Sequence, residues 1–330
     1  MPKAVRFHQI GGPENLKFED LPAREPGPGE VKLRVEALGL NRAESLYFRG
    51  LYMEKPELPS RLGYEAAGVV TAVGPGVDES WIDKRVATVP GYSQNKYGVL
   101  AEEAIVPASS LGEYPENLSP IQGAAIWMQY VTAWGALVHF GKVAKGDFVI
   151  IPAASSSVGL AAIQIVRDAG ATAIATTRTS KKRNELFALG ADHVIATAEE
   201  DLVACVNRIT SGQGARLIFD PVAGPFVEKL AQAASYHGIV FEYGALSLES
   251  TPFPFFHAIR KGLTMRAYTL LEIISDPNAL AAAKDYIYKR LSDGRFLPKI
   301  ARTFPFAQSA EAYQYLESNA QVGKIVITVP

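Results

Sequence analysis

The sequence predicts an α/β fold in which a β-rich region is followed by a doubly wound parallel sheet. Three observations support this prediction. In the first third, short apolar or alternating segments are separated by Gly and Pro turns. From Phe148 onwards, apolar strands alternate with amphipathic helices at the spacing of βαβ units. At 330 residues the chain is also long for one hydrophobic core, so two domains are expected.

The individual elements follow from these patterns in chain order. The β-rich third contains KAVRFHQ, LKFEDLP, EVKLRVEALGL, AGVVTAVG, KRVATVP and AEEAIVPA. The middle region alternates predicted strands at 148–151, 173–175, 193–196, 217–220 and 239–243 with helices, the later ones at 181–189, 202–209 and 226–234. The tail predicts a helix at 278–291 and an apolar strand at 324–329. We expect that last strand to return to the N-terminal domain.

Composition and charge exclude several classes of function. A formal net charge of -1 gives no electrostatic footprint for nucleic acid. No apolar run is long enough to cross a bilayer, and the first residues lack the apolar core of a signal peptide. The single cysteine, Cys205, excludes an intrachain disulfide and fits a reducing, cytoplasmic location.

The segment DFVIIPAASSSVGLAAIQIVRDAG, which begins at Asp147, predicts a strand, a tight turn and a helix. Apolar residues of that helix recur with a 3.6-residue period, and Gly170 is placed to end it in a left-handed conformation. A second apolar strand follows. Such a turn aims helix N–H groups at a pyrophosphate, so the unit predicts a dinucleotide site.

This turn departs from the G-x-G-x-x-G pattern, because Ala154 and Ser156 replace the first two glycines and only Gly159 remains. The hydroxyl of Ser156 can donate a hydrogen bond to phosphate. The alternative is an ordinary βα turn that uses small residues for packing. The residues predicted to hold the pyrophosphate are Ser156, Ser157, Val158 and Gly159.

The end of the second strand indicates which cofactor binds. NAD-binding proteins usually place an acid about 20 residues past the turn, for the ribose 2′-hydroxyl. Here the strand ends in TTRTSKKR, with no acid before Glu185. Arg178, Lys182 and the hydroxyl of Thr177 can bind a 2′-phosphate, so we expect NADPH. The alternative is a solvated basic helix start with Ser180 as N-cap.

Several segments together resemble the medium-chain dehydrogenase/reductase family, in its zinc-independent quinone oxidoreductase (zeta-crystallin-like) branch. They are GGPENLKFED, GLNRAESLYFRGLY, LGYEAAGVVTAVGPGV, GAAIWMQYVTAWGAL, AASSSVGLAAIQIVR, LGADHVI, IFDPVAG and VGKIVI. The resemblance implies a GroES-like catalytic domain at 1–122 and 272–330 and a Rossmann NADP-binding domain at 123–271. It also implies hydride transfer from NADPH to a small electrophile in the cleft between them.

Zinc-dependent relatives place Cys at the position of Asn41, an acid at Glu44 and His at Tyr64. Here two of these ligands are replaced, and one cysteine cannot build a four-Cys lobe. None of the five histidines shows the close spacing of a zinc site. We therefore expect no metal. Without a Lewis acid, quinones and α,β-unsaturated carbonyls are easier acceptors than simple ketones.

The resemblance also implies further cofactor contacts from outside the turn. Each position has a plainer alternative: an asparagine that makes a turn, a threonine that packs a helix, or the start of a strand. The residues implied are Asn41, Thr132, Gly323 and Lys324. Tyr243 and Gly244 are predicted from the fold, because they end a strand of the Rossmann sheet, where residues that face the crevice contact the cofactor.

The proton donor is predicted among tyrosines. Several relatives carry a tyrosine where this chain has Leu46, so the family's proposed donor is absent. The candidates here are Tyr64, Tyr52 and Tyr47, which directly follows Leu46. Each can instead form an aromatic wall, with solvent supplying the proton.

Three functions stay open on the sequence. The first is an NADPH-dependent reductase of quinones or activated alkenes, and the second an enoyl-thioester or substituted-acrylate reductase of the same fold. The third is a non-catalytic NADPH-binding protein. In relatives the strand near 265–268 pairs across a dimer, which suggests a homodimer. The aromatic stretch at 252–262 can cap the cleft or lie at a subunit contact.

Overall fold

The computed structural model describes residues 1–330 and divides into two compact units. The first comprises residues 1–128 and 288–330, and the second comprises residues 129–287. The expected boundaries, 122/123 and 271/272, both lie earlier in the chain. Each observed boundary falls inside a helix, where no Gly or Pro marks it in the sequence.

The secondary structure consists of fifteen strands and twelve α-helices. The strands are β1 (Lys3–Phe7), β2 (Leu16–Asp20), β3 (Glu30–Gly39), β4 (Glu65–Val73), β5 (Arg85–Thr88), β6 (Glu103–Pro107), β7 (Leu111–Glu113), β8 (Phe148–Ile151), β9 (Thr172–Thr177), β10 (His193–Ala196), β11 (Ala215–Asp220), β12 (Ala234–Glu242), β13 (Thr264–Ala267), β14 (Ile300–Pro305) and β15 (Lys324–Thr328). The helices are α1 (Arg42–Phe48), α2 (Gln94–Tyr97), α3 (Pro120–Gly123), α4 (Trp127–Trp134), α5 (Ser157–Asp168), α6 (Arg183–Ala188), α7 (Leu202–Ile209), α8 (Phe226–Ala233), α9 (Phe255–Lys261), α10 (Leu271–Ile274), α11 (Pro277–Ser292) and α12 (Ser309–Glu317). None of these helices has the length and apolar character that a membrane crossing requires.

The first unit is built around one seven-stranded sheet. Its order is β14-β15-β3-β4-β5-β7, with β6 also paired to β3, and β1 and β2 form a separate ribbon. The C-terminal strand β15 pairs antiparallel with β3, with Val326 opposite Gly39. This confirms the predicted return of the last strand to the N-terminal region. Buried residues of β3 and β4 supply much of the core.

The second unit contains a six-stranded parallel sheet of order β10-β9-β8-β11-β12-β13. The order runs outwards in both directions from the β8–β11 pair, so the sheet is doubly wound as predicted. Its central strands are almost wholly buried, as expected for a sheet covered on both faces. At one edge, β13 pairs only with β12.

Helix α5 follows β8 directly and packs against the sheet through the face predicted from its periodicity. Gly159 is required for this packing, because a Cβ there would lie 2.7 Å from the backbone of Ala154. Gly170 follows the helix with φ +72°, which confirms the predicted left-handed termination.

Candidate active site

The turn between β8 and α5 presents unused backbone donors. The Ser156 hydroxyl oxygen caps α5 by accepting a hydrogen bond from the Gly159 N–H at 3.0 Å. The amides of Ser157 and Val158 have no acceptor within the chain. Ala153 holds φ +46°, a left-handed conformation uncommon for a residue other than glycine. The first turn of a twelve-residue helix therefore offers two free N–H groups, with the dipole favouring an anion.

The basic end of β9 reaches this turn. The Lys182 ammonium donates a hydrogen bond to the Ser155 hydroxyl at 3.1 Å. Burial lowers the pKa of Lys182, and the positive charge of Arg178 lowers it further against the opposing effect of Glu185. Arg178 itself is exposed and makes no ion pair, while Thr177 is half-buried at the strand end. Basic side chains therefore lie beside the free amides at the start of α5.

The start of the next helix differs from the sequence prediction. Residues 180–182 form a 3₁₀ turn, and α6 begins only at Arg183, so Ser180 is not its N-cap. The Ser180 N–H instead donates to Glu199 at 3.0 Å. Glu200 forms an ion pair with Arg183. These two acids come from a distant segment, so the sequence near Ser180 gave no sign of them.

The carboxyl ends of β11 and β12 bring two acids together in the second unit. Asp220 lies opposite Glu242 in the strand register. The Asp220 carboxylate accepts hydrogen bonds from the N–H groups of Val222 at 2.8 Å and Ala223 at 3.0 Å. The buried carboxylate oxygens of Glu242 meet no donor. Burial, and then the charge of Asp220, raise the pKa of Glu242 to about 8.

The predicted cofactor residues Tyr243 and Gly244 follow β12 directly. The Tyr243 ring stacks on Phe219 with centroids 3.9 Å apart, and its buried hydroxyl has no hydrogen-bond partner. Gly244 is exposed, and a Cβ there would approach the Pro221 carbonyl to 2.9 Å. Sequence reasoning found these positions but missed the neighbouring Asp220–Glu242 pair. A signal in the sequence could have indicated this pair, because Asp220 and Glu242 each end an apolar strand.

In the first unit, Asn41 and Lys324 belong to one buried network. Asn41 caps α1 by exchanging hydrogen bonds with Glu44. Its amide nitrogen donates to the Gly39 carbonyl at 3.2 Å and to Glu65 at 3.1 Å. Its amide oxygen accepts from the Lys324 ammonium at 2.6 Å.

Lys324 is only 1% exposed and also forms an ion pair with Glu65. Glu44 belongs to the same network, and its carboxylate accepts a hydrogen bond from the Tyr313 hydroxyl at 2.9 Å. Both ends of the Asn41 side chain are therefore used inside the unit, so cofactor contact by Asn41 and Lys324 stays a prediction. The ion pair with Glu65 was not predictable, because Lys324 on β15 and Glu65 on β4 are brought together only by the fold.

Gly323, also predicted to contact the cofactor, has a structural requirement of its own. Its φ is +105°, and a Cβ would lie 2.4 Å from the Lys299 carbonyl oxygen. Thr132 lies on α4 and is 7% exposed. The nearby Trp127 and Tyr130 are 1% and 0% exposed and belong to the core.

The tyrosines divide into a cluster and an isolated member. Tyr64 lies at ring-centroid distances of 6.3 Å from Tyr52 and 5.8 Å from Tyr92. Tyr92 is in turn 6.2 Å from Tyr97 and donates its hydroxyl to the Tyr64 carbonyl. Burial raises the pKa of Tyr52 and, more strongly, that of Tyr64. Their hydroxyls therefore keep their protons throughout the physiological range.

Tyr47 does not belong to this cluster. It is fully buried against Phe7, and its hydroxyl contacts Ser60 at 2.7 Å and Asn95 at 2.6 Å. Burial raises its pKa to about 12. The hydroxyl of Tyr47 is held in the interior by side chains of the same unit, and its role as proton donor stays a prediction.

A doubly wound sheet whose first helix presents free amides, with cations from the adjoining strand end, defines a nucleotide-binding α/β protein. Two family models match the chain. The alcohol dehydrogenase GroES-like domain matches residues 27–116, and the zinc-binding dehydrogenase model matches residues 157–284.

Known proteins similar to this chain include a 2-haloacrylate reductase from Burkholderia sp, 29% identical with 99% of both chains covered. The crystal structure of an NAD-dependent alcohol dehydrogenase has a TM-score of 0.91 at 31% identity, covering 99% of this chain and 100% of that one. The structure of Escherichia coli quinone oxidoreductase complexed with NADPH also has a TM-score of 0.91, at 27% identity and 99% coverage of each. The chain belongs to the medium-chain dehydrogenase/reductase family, in its quinone oxidoreductase branch, and is an oxidoreductase with a GroES-like and a Rossmann unit.

Proposed function

We propose that this protein transfers hydride from NADPH to quinones or activated alkenes, such as α,β-unsaturated carbonyls, without zinc. The observation that carries the proposal is the hydrogen bond from Lys182 to Ser155, which joins the cationic end of β9 to the helix turn. This contact supports the proposal, because the adenosine phosphate and the pyrophosphate of the cofactor both need basic side chains to neutralise them.

The residues present fit NADPH. The free amides of Ser157 and Val158 suit the pyrophosphate, and Arg178, Lys182 and Thr177 suit the 2′-phosphate. The NADPH complex of the Escherichia coli relative supports this choice. The similar alcohol dehydrogenase is NAD-dependent, but β9 here ends without the acid that would hold a ribose 2′-hydroxyl. When bound, NADPH supplies the hydride.

Activated acceptors fit the side chains of the first unit. Hydride addition to a conjugated system places negative charge on an oxygen, which a neutral hydroxyl can stabilise by donating a hydrogen bond. Tyr64 and Tyr52 hold protons for this purpose because burial raises both pKa values. Such weak acids favour hydrogen bonding over complete proton transfer, so solvent delivers the final proton. The 2-haloacrylate reductase and quinone oxidoreductase among the relatives act on electrophiles of this kind.

The proposal of zinc-free activity is supported by what surrounds Asn41. A thiolate ligand is replaced by an amide that hydrogen-bonds an ammonium ion, and the same ammonium pairs with Glu65. A buried cation is therefore already present among these oxygens. We predict that incubation with a chelator leaves turnover unchanged; elemental analysis finding one zinc per active chain would contradict this.

The cofactor assignment is tested by Arg178→Ala. Loss of a charge-assisted hydrogen bond to phosphate costs about 1.5–3 kcal/mol, so the Kd for NADPH should rise about tenfold to a hundredfold. The Kd for NADH should change little. Lys181→Ala is the matched control, since this neighbouring lysine is exposed and unpaired. Fluorescence titration measures the Kd of both cofactors for the wild type and the two variants, and equal weakening of both cofactors by Arg178→Ala would contradict the assignment.

We also infer a homodimer, with cytoplasmic location supported by a single buried cysteine. The outer edge of β13 is unpaired, and nearby Phe255 and Phe256 are 53% and 82% exposed. An open strand edge beside exposed aromatics favours pairing with a second copy. Light scattering should give twice the chain mass, and Phe256→Asp should give a monomer. A monomeric wild-type protein would contradict the inference.

A further inference from the structure

We propose that the first unit contains a binding pocket for a small phosphate-bearing anion, distinct from the nucleotide site of the second unit. The pocket is a cavity of about 120 Å³. Its walls come from β1, the segment after β2, β3, Arg61, α2 and β6, all within residues 1–128. Because these segments are far apart in sequence, no basic motif reveals the site.

The lining is unusually rich in cations. Its basic residues are Lys3, Arg24, Lys32, Arg61 and Lys96, against the single acid Glu103. Four of these cations are already paired with acids. Lys3 lies 3.0 Å from Asp20, and Lys32 lies 2.6 Å from Glu25. Arg24 and Lys96 share Glu30, at 2.9 Å and 3.6 Å.

Arg61 is the exception and carries the proposal. Arg61 is half-buried as a residue, and its guanidinium has no hydrogen-bond acceptor or ion-pair partner within the chain. Burial lowers its pKa, and repulsion from Arg6 and Arg24 adds to the effect. A partly desolvated cation among like charges is unfavourable unless an anion compensates it. Arg61 is therefore the residue of this lining that a bound anion would stabilise most.

A phosphate group matches this arrangement. The guanidinium can bind two oxygens of a phosphate in its planar fork. Lys32 can also bind the phosphate. Giving up its ion pair with Glu25 costs little free energy, because the Glu25 side chain is 79% exposed and exposed ion pairs contribute little to stability. The cavity accommodates one phosphate group and a small organic part against Pro2, Leu21 and Ile105.

The test is calorimetric titration of the NADPH-saturated protein with inorganic phosphate at low ionic strength. Saturation fills the phosphate positions of the cofactor site, so one further binding event is expected. Arg61→Gln should weaken that event at least tenfold, and Lys32→Gln should weaken it less. Lys17→Gln is the control, since it removes an exposed, unpaired charge from the same unit and should change nothing.

A parallel titration with phenyl phosphate distinguishes the source of the anion. If phenyl phosphate binds more tightly than inorganic phosphate, the natural ligand is a phosphate monoester. If the two bind equally, the ligand is free phosphate, and either result supports the proposed pocket. No binding by the wild-type protein, or equal binding by Arg61→Gln, overturns the proposal. Arg61→Gln should fold normally because it removes no partner, and its melting temperature checks this. Binding is measured without turnover, so failure of the proposed reaction leaves this result interpretable.

Discussion

The two units handle buried carboxyl groups in opposite ways. In the first unit Glu65, 2% exposed, pairs with the ammonium of Lys324 and accepts from Asn41. In the second unit Glu242 faces the carboxylate of Asp220 and has no donor. The comparison indicates that a cation from a distant strand compensates a buried carboxylate, while burial, and then a neighbouring carboxylate, raise the pKa of Glu242.

Glu44 lies between these extremes. It accepts hydrogen bonds from the backbone N–H of Asn41 and Tyr64 and from the Tyr313 hydroxyl, but forms no ion pair. Burial still raises its pKa, although these donors and the charge of Lys324 oppose the increase. Neutral donors therefore offset desolvation only in part.

The largest expected effect comes from breaking the compensated network. Lys324→Met leaves the Glu65 carboxylate and the Asn41 carbonyl without their cation in the interior. Removing one partner of a buried pair costs about 3–5 kcal/mol, so the free energy of unfolding should fall by that amount. Urea denaturation at neutral pH measures the change.

The control for this substitution is the double variant Lys324→Met/Glu65→Gln. It removes both charges, so much of the lost stability should return. A single-variant loss below about 1 kcal/mol would show that the ion pair does not determine the stability of this network.

A smaller effect of opposite sign is expected for Glu242→Gln. A carboxyl pKa raised from its ordinary 4.5 to about 8 means that the folded state binds more protons between these pH values. The free energy of unfolding of the wild-type protein should therefore fall as pH rises through this range. At about pH 9 the variant should be more stable by about 1–3 kcal/mol, allowing for solvent screening.

Urea denaturation across this pH range checks the prediction. Glu228→Gln is the matched control, because Glu228 is an exposed carboxyl on α8 in the same unit. It should keep the wild-type slope. A Glu242→Gln variant with the same slope as the wild type would show that Glu242 is not the protonated group.

The smallest effect is expected where no formal charge is involved. Ser156→Ala removes the oxygen that accepts the Gly159 N–H, and should cost about 1 kcal/mol of unfolding free energy. Ser156→Gly should lower the free energy of unfolding by only a few tenths of about 1 kcal/mol, since glycine is tolerated at an N-cap. Denaturation of both variants measures the difference, and a loss as large as that of Lys324→Met would contradict the ranking.

Local features of the fold were predictable from sequence. The period of α5, the left-handed Gly170 and the apolar strands of the parallel sheet each depend on neighbouring residues. The return of the last strand to the N-terminal domain was also expected, although its pairing with β3 was not.

Features that depend on distant contacts were not predictable. Lys182 meets Ser155, and Glu242 meets Asp220, only after the strands align. The pocket around Arg61 likewise forms from separate segments, none of which is basic enough to attract notice. The sequence therefore indicated the turn and the basic residues after β9, but not the tertiary contacts that these residues make.

The most direct test of the proposed function is NADPH oxidation, followed by absorbance, against a quinone, an enone, an enoyl thioester and a simple ketone. NADH is run in parallel. We predict turnover of the quinone or the enone, with NADPH preferred over NADH and the simple ketone left unreacted. NADPH binding without oxidation by any acceptor would contradict the account and favour a non-catalytic role.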